Sequence, residues 1–180
     1  KAWPSPPSQY WIIPNPTNSA RYRCWSTRVA SASAGCGSGL HLAQNDPISA
    51  VRAAAARALG QFVLLGELGK LPETLSVRLQ DLLFALYGDR SEDLDVRRRA
   101  LEAIGNCGRE GVGELIREAY YADELPMRVS AVFAMGRSVD LIWADTVLAE
   151  LQSKTPAMRY EAARACGELQ LKRAVPGLVK

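Results

Sequence analysis

The residue types that most often carry out catalysis or bind metals are few in this chain and widely separated. The 180 residues include one histidine, His41, and four cysteines, Cys24, Cys36, Cys107 and Cys166. A single histidine excludes metal sites that need two imidazoles, such as the HExxH motif. No two cysteines form a CxxC pair, so the spacing favours neither a zinc ribbon nor a thioredoxin-like redox motif. We predict no metal and no cofactor, and interpret Cys107 and Cys166 as small core residues.

Other motifs for phosphate binding or acid–base chemistry are also missing. The sequence contains neither GxGxxG nor GxxxxGK[ST], the usual backbone cradles for nucleotide phosphates. Its 19 acidic residues are plentiful, but acid–base catalysis needs a pair in a concave, partly desolvated site, and no pattern marks one. His41 lies in a Ser/Gly/Ala-rich stretch and is interpreted as a solvated loop residue. We therefore predict no catalytic residues and no enzymatic activity.

Composition and charge are those of an ordinary soluble protein, with 48% hydrophobic and 23% charged residues. Residues 1–44 hold four basic residues and no acid, while the remaining 18 basic residues face all 19 acids, a net charge of −1. No apolar run approaches the roughly 20 residues that a membrane-spanning helix needs. With few cysteines and no export signal, we expect a cytoplasmic protein.

A ten-residue frame, [Val/Met]-Arg-x-x-Ala-x-x-Ala-[apolar]-Gly, occurs four times after residue 44. The copies are separated by 45, 31 and 31 residues, and a period near 31 is typical of one helix–turn–helix unit per repeat. Each copy has an arginine at its second position and a glycine at its tenth. These structural positions are Arg52, Arg97, Arg128 and Arg159, and Gly60, Gly105, Gly136 and Gly167.

The frame has the pattern of a helix that packs against neighbouring helices. Its apolar residues and alanines fall at i, i+4, i+7 and i+8, which is one stripe of a helix. Alanine permits close approach, so we expect Ala100, Ala131 and Ala162 at close helix contacts. The closing glycine suits the left-handed residue that ends a helix. A second amphipathic stripe follows each frame, as at Leu75 and Leu79.

This pattern resembles the HEAT-repeat family, in particular the short bacterial HEAT-like repeats also found in phycobilisome lyases. The resemblance covers residues 45–180 and implies an all-α fold, a right-handed α-solenoid of about four helical hairpins. It also implies that the first helices form the convex side and that the second helices line the concave side, where such arrays usually hold partners. The units are expected at 45–88, 89–122, 123–153 and, incomplete, 154–180.

Residues 1–44 differ in kind, with five of the ten prolines in the first 16 residues and a Ser/Gly/Ala-rich stretch. We predict an irregular or disordered leader. The segment Tyr22-Arg23-Cys24-Trp25 leaves open the binding of single-stranded nucleic acid by stacking. A third interpretation is that the leader is not a native part of the repeat protein.

The recurring arginines have a functional and a structural interpretation. They are a column that grips phosphates, or each pairs with an acid from an adjacent repeat and stabilises the stack. We favour the structural ladder, because repeat stacking itself requires identical spacing in every unit. The run Arg97-Arg98-Arg99 is interpreted as a solvated face. The acids considered as partners are Asp46, Asp93, Asp95, Asp123 and Glu124.

These observations favour a non-catalytic protein–protein interaction scaffold, a fragment of a longer HEAT-repeat protein. The alternatives are a phycobilin-lyase-like or lyase-associated HEAT protein, suggested by the resemblance, and a HEAT-like nucleic-acid binder. The second helices carry an excess of acids, so we expect a basic or neutral protein segment as partner and regard nucleic acid as disfavoured. The expected contact residues are Glu114, Glu118, Tyr121, Asp145 and Glu150.

The C-terminal edge of the array is expected to associate with itself. Repeat arrays normally end in a capping unit with a polar outer face, and here the fourth unit is cut short. Leu169, Leu171, Val175 and Leu178 are therefore expected to be partly uncovered.

Overall fold

The computed structural model describes the backbone of residues 19–175 and the side chains of residues 31–175. Every regular element in this part of the chain is helical, so the prediction of an all-α fold is confirmed. Two short 3-10 turns, Leu141–Trp143 and Lys172–Ala174, follow the sixth and eighth helices. The helices are α1 (Ser19–Asn45), α2 (Ser49–Glu67), α3 (Glu73–Gly88), α4 (Leu94–Ile104), α5 (Val112–Tyr120), α6 (Leu125–Arg137), α7 (Ala144–Glu150) and α8 (Pro156–Glu168).

The frame helices α2, α4, α6 and α8 pack on one another in chain order and form what we call the first-helix layer. Each helix that follows a frame packs against the first helix of the next unit: α3 against α4, α5 against α6 and α7 against α8. We call α3, α5 and α7 the second-helix layer. Because every unit contacts the next through both layers, the described helices share one continuous core.

That core runs from Cys36 in α1 to Ala174 after α8. The first alanine of the frame has no exposed surface in the last three units, where it is Ala100, Ala131 and Ala162. Their burial agrees with the contacts expected from the sequence. Small side chains at these positions allow neighbouring helices to pack at close range without voids.

The glycine that closes each frame does not have the expected conformation. Gly105 has a φ of −53°, in the right-handed helical region, and Gly136 lies inside α6. The positive φ values belong instead to residues in the turns, which are Gly69, Gly111, Val139 and Gln170. The frame glycines are required for a different reason, the close approach of the next first helix, which is described below.

Proline and capping residues set where several first helices begin. Pro126 and Pro156 lie in the first turn of α6 and α8, where a missing N–H breaks no helical hydrogen bond. Asp93 precedes α4, and its carboxylate accepts a hydrogen bond from the Asp95 N–H at 2.8 Å. These signals lie between units, so they separate one hairpin from the next.

The prediction of an irregular leader over residues 1–44 is wrong for residues 19–44, because these residues belong to α1. Residues 1–18 lie outside the described part of the chain. Helix α1 packs on α2 and α3 and buries Cys36, Leu40 and Ala43, an i, i+4, i+7 stripe. A Cβ at Gly39 would lie 2.8 Å from Leu59 Cδ2, so the small residues of this segment permit tight packing. Small residues are also typical of low-complexity loops. The sequence pattern therefore did not predict this helix.

Candidate interaction surfaces

Two of the four arginines at the second frame position bind the turn that precedes their own helix. Arg52 donates from Nη1 to the main-chain carbonyl of Asp46 at 2.7 Å. Arg159 donates from Nη1 to the carbonyl of Ser153 at 2.8 Å. A guanidinium therefore satisfies carbonyl groups that the end of one unit leaves open. This geometry supports the structural ladder rather than a phosphate-binding column.

The other two members of the column differ in detail. Arg97 is buried and donates from Nε to the carbonyl of Tyr87 at 3.3 Å, so it is not part of a solvated face. The side chain of Arg128 forms no hydrogen bond with a described residue. No carboxylate among the five considered as partners pairs with a column arginine in the described part of the chain, so that detail of the prediction is wrong. Main-chain carbonyls take the role that was expected for acids.

One member of the column does form an ion pair across units. Arg52 donates to Glu92 through Nε at 3.0 Å and Nη2 at 2.6 Å, and Glu92 lies in the turn between α3 and α4. This bidentate bond, opposed in part by burial, lowers the pKa of Glu92. The same bond raises the pKa of Arg52. The pair therefore ties the first unit to the start of the second.

The five residues expected to bind a partner do not form one free acidic surface. Glu118 pairs with Arg90, and Asp145 pairs with Arg173 at 3.1 Å. Glu150 accepts a hydrogen bond from the Tyr120 hydroxyl at 2.6 Å. The contacts of Asp145 and Glu150 join consecutive units, and the Arg90–Glu118 pair lies within the second unit. Sequence reasoning counted the charges of the second helices and missed the arginines that the turns bring beside them.

The side chains of the remaining two residues of that set, Glu114 and Tyr121, form no hydrogen bond with a described residue. Both are exposed, and Tyr121 retains 76% of its surface. Tyr120, its neighbour, is half-buried, and its pKa is raised to about 12, mainly by burial and then by the hydrogen bond to Glu150. The two adjacent tyrosines thus have different roles: one joins units and the other faces solvent.

A groove of about 640 Å³ lies on the outer surface of the first-helix layer, between α2 and α4. We call it the alanine groove, because alanines of α2 form one side, while charged residues of α4 form the other. A second depression of about 190 Å³ shares Arg57 and Gln61 with it and continues toward α6, where it reaches Phe133 and Arg137. The alanine groove is lined by Ala50, Ala53, Ala54, Arg57, Ala58, Gln61, Asp95, Arg98 and Arg99.

The groove exists because α2 departs from the other first helices at two frame positions. The third and fourth positions are Ala53 and Ala54 in α2 but Arg98 and Arg99 in α4. In α6 and α8 the same positions hold Val-Ser and Tyr-Glu. Long side chains at these positions would fill the space above α2. Because alanine side chains are short, the alanine groove stays open beside the guanidinium groups of α4.

The α4 wall of the groove is a network of charges around a buried carboxylate. Glu102 is buried and accepts hydrogen bonds from Arg99 Nη1, at 2.8 and 2.6 Å, and from the Ser130 hydroxyl at 2.6 Å. Arg98 pairs with Asp95 and lies 3.6 Å from Glu102. A buried charge is tolerated when it is fully paired in this way. The network therefore holds Arg98 and Arg99 in fixed positions at the groove.

A third surface feature was not found by sequence reasoning. Val139, Leu141 and Ile142, in the turn after α6, retain 67%, 65% and 62% of their surface. We call these three residues the turn patch. Val139 has a φ of 54°, a costly conformation for a β-branched residue. A comparison of the repeats indicates this patch from the sequence alone. One repeat later, the positions of Leu141 and Ile142 hold the charged residues Lys172 and Arg173, which is typical of a solvent-exposed turn.

A pocket of about 210 Å³ lies beside the turn patch. Asp140, which sits between Val139 and Leu141, lines it together with Trp143. The opposite wall comes from the second unit, including Val112 and Ile116 of α5. The patch thus borders a concavity that a single side chain of a partner would fill.

The C-terminal end of the described chain is only partly as expected. Val175 is exposed, Leu171 is half-buried, and Leu169 is buried, so the expectation that all are uncovered is wrong for Leu169. Leu178 lies outside the described residues. Gly167 is exposed and has no described atom within 4 Å of a Cβ placed on it.

The described part of the chain has neither a metal-binding cluster nor a membrane-spanning helix. No three His, Cys, Asp or Glu side chains there are grouped as a metal ion would require. No described helix is both long and apolar enough to cross a bilayer. The thiols of Cys36, Cys107 and Cys166 are buried, and burial raises the pKa of each.

The array has one frame per first helix and a second helix packed on the next unit, and its last frame is similar to a known repeat family. Residues 158–180 match the PBS lyase HEAT-like repeat. The match confirms the resemblance that the residue frame indicated. It covers α8 and the turn after it, and the three earlier copies carry the same frame as this HEAT-like repeat. No curated protein matches the chain.

Proposed function

We propose that this HEAT-like array is a non-catalytic scaffold that binds another protein through the turn patch and the adjoining pocket. The observation that carries the proposal is the exposure of three neighbouring aliphatic side chains, Val139, Leu141 and Ile142. Large apolar groups that cluster on the surface of a soluble protein mark interaction sites more often than isolated ones. Covering them with a partner removes apolar surface from water.

The backbone of the turn supports the same interpretation. Val139 has a positive φ, and the same conformation recurs one repeat later at Gln170, so it is a fixed feature of the turn in these units. The Asp140 carboxylate accepts a hydrogen bond from the Ile142 N–H at 3.0 Å, which stabilises the turn. A patch on a fixed turn loses little conformational entropy on binding, which favours affinity.

The partner is proposed to be a protein segment that is basic or neutral. Of the acids and tyrosine expected to bind a partner, Glu114 and Tyr121 have exposed side chains without a hydrogen bond to a described residue, and they remain candidates for the contact. Glu118, Asp145 and Glu150 are already paired within the array and contribute less. An apolar anchor in the pocket beside Trp143, with a cationic neighbour near Asp140, is the chemistry that fits.

Site-specific photo-crosslinking in cells that naturally produce the protein tests this proposal. A photoreactive amino acid replaces Leu141 in one variant and Val77, an exposed residue of α3, in the control. We expect one discrete adduct from position 141 and none of that mass from position 77. A Leu141 variant that forms no adduct, or the same adducts as the control, contradicts the proposal.

The similarity to the PBS lyase HEAT-like repeat is the single observation that favours a second candidate, a lyase-associated protein. The match covers 23 of 180 residues, which supports the repeat and adds no site for a chromophore. Absorption spectra of the purified natural protein distinguish the candidates. A stoichiometric bilin would favour the second one.

A further inference from the structure

The alanine groove carries an excess of positive charge, and of its arginines Arg57 has no acidic partner among the described residues. Together with its continuation toward α6, it is lined by Arg57, Arg98, Arg99 and Arg137 against Asp95 and Glu102. Arg98 and Arg99 are held by those two acids. Arg57 is exposed and forms no ion pair with a described residue. The formal charge of the combined lining is +2, and it falls to +1 when Glu168, which lies 3.8 Å from Arg137, is included. The array as a whole, residues 45–180, sums to −1.

From this geometry we infer that the alanine groove binds an acidic peptide segment of a partner protein. The exposed alanines Ala50, Ala54 and Ala58 let a peptide backbone approach α2 closely. A carboxylate on that peptide then meets Arg57, whose guanidinium can form two parallel hydrogen bonds with it. The network around Glu102 keeps the neighbouring arginines in place before binding.

The chemistry of the groove favours a peptide over a nucleic acid. A phosphate backbone gains affinity from many unpaired cations along its length, and two carboxylates lie within this lining. Bases of a single strand need aromatic side chains on which to stack, and alanines occupy the α2 side instead. The chain's own residues 1–44 contain no acid, so they do not complement this charge.

Fluorescence anisotropy with defined probes tests the inference independently of the turn patch. The probes are a short fluorescein-labelled peptide of repeated Glu-Ala-Ala-Glu units, its Lys counterpart, and a labelled oligo-dT. We expect saturable binding of the Glu peptide at low salt, weaker at physiological ionic strength, and no saturable binding of the Lys peptide.

Two groove variants and one control locate the site. Arg57→Ala is expected to weaken binding by about 3- to 10-fold, the range of a charge-assisted contact at a partly exposed site. Ala54→Glu, an exposed helix position that tolerates glutamate, adds a like charge and bulk and is expected to weaken binding further. Arg78→Ala removes an exposed arginine of α3 and is expected to leave binding unchanged.

The inference is overturned if the Glu peptide does not bind saturably. It is also overturned if Arg57→Ala and Arg78→Ala lower the affinity equally, since binding would then reflect overall charge. Tighter, Arg57-dependent binding of oligo-dT would assign the groove to nucleic acid instead. Leu141 variants leave the groove intact, so failure of crosslinking at the turn patch and failure of peptide binding are separate results.

Discussion

A Cβ atom on Gly136 would lie 2.8 Å from the Cα of Ala165, which belongs to the next first helix. The same relationship recurs along the stack. A Cβ on Gly60 would lie 3.2 Å from Ala103 Cα, and one on Gly105 would lie 3.0 Å from Ala134 Cα. In each case the second alanine of one frame sits on the glycine of the frame before it. Main chain contacts main chain there, so no side chain is available to move aside.

Gly136→Ala is expected to destabilise the protein, because the added methyl group meets the backbone of α8 rather than a flexible side chain. We expect a loss of roughly 1–3 kcal/mol in the free energy of unfolding, despite the better helix propensity of alanine. Gly167→Ala is the matched control at the same frame position, with open space around it. It is expected to be neutral or to stabilise by up to about 1 kcal/mol. Urea denaturation that gives both variants the same sign would contradict the role of the glycine contact.

Ala131→Leu is expected to overpack the interior of the first-helix layer. Ala131 has no exposed surface, so three further carbon atoms force neighbouring helices to shift, at a cost of roughly 1–3 kcal/mol. Ala54→Leu adds the same atoms at an exposed position of α2 and is expected to change stability by less than about 0.5 kcal/mol. Thermal denaturation of both variants checks the register. An Ala131→Leu protein that melts like the wild type would place this helix face elsewhere.

Glu92→Gln is expected to lower stability at neutral pH and to have progressively less effect in acid. The pKa of Glu92 is lowered by Arg52, so the folded state favours the ionised form. That stabilisation is fully present above the pKa of an unfolded glutamate, about 4.3, and disappears as the pH falls through the lower folded pKa. Denaturation curves between pH 7 and acid, with Glu110→Gln as an exposed control, measure the difference. A wild-type advantage that does not change with pH would argue against the ion pair.

Tyr120→Phe is expected to cost about 1 kcal/mol at neutral pH through the lost hydrogen bond to Glu150. The pKa of Tyr120 is raised to about 12, so the folded state favours the neutral phenol. The wild type therefore loses stability as the pH rises above the unfolded value of about 10, and the variant loses less. Tyr121→Phe, which removes an exposed hydroxyl, is the control. Equal alkaline sensitivity of wild type and Tyr120→Phe would refute this link between units.

Self-association through the C-terminal edge stays a prediction, and α8 supplies the residues to test it. Tyr160 on α8 retains 69% of its surface, and Gly167 is exposed, whereas Gly60, Gly105 and Gly136 are buried beneath the next unit. We expect concentration-dependent dimerisation in analytical ultracentrifugation that Tyr160→Asp reduces. Tyr121→Asp changes an equally exposed tyrosine elsewhere and should leave dimerisation intact. If the protein remains monomeric at high concentration, the prediction that the C-terminal edge is a dimer interface is wrong.

The helical hairpins and their order could be predicted from the sequence, because the frame repeats local information. Frame residues such as Val96 and Ala100 lie on one helical stripe wherever they occur, and the periodic arginine and glycine mark the same points in each unit. Helix α1 was missed although Cys36, Leu40 and Ala43 have helical spacing. Its small residues have too little apolar surface to distinguish a packed helix from a loop without knowing what lies opposite.

The chain by itself determined the repeat, the helix type and the buried stripe, since these depend on residues three to eight positions apart. Only the tertiary structure decided what each repeated residue contacts. Gly136 faces the backbone of α8 instead of ending a helix, and Arg159 binds carbonyls of the preceding turn instead of an acid. Three acids of the second helices are likewise paired with arginines 28 residues away, as in Asp81 with Arg109. Residues from several units together determine the charge and shape of each surface. Which residues meet there depends on how the units stack in space.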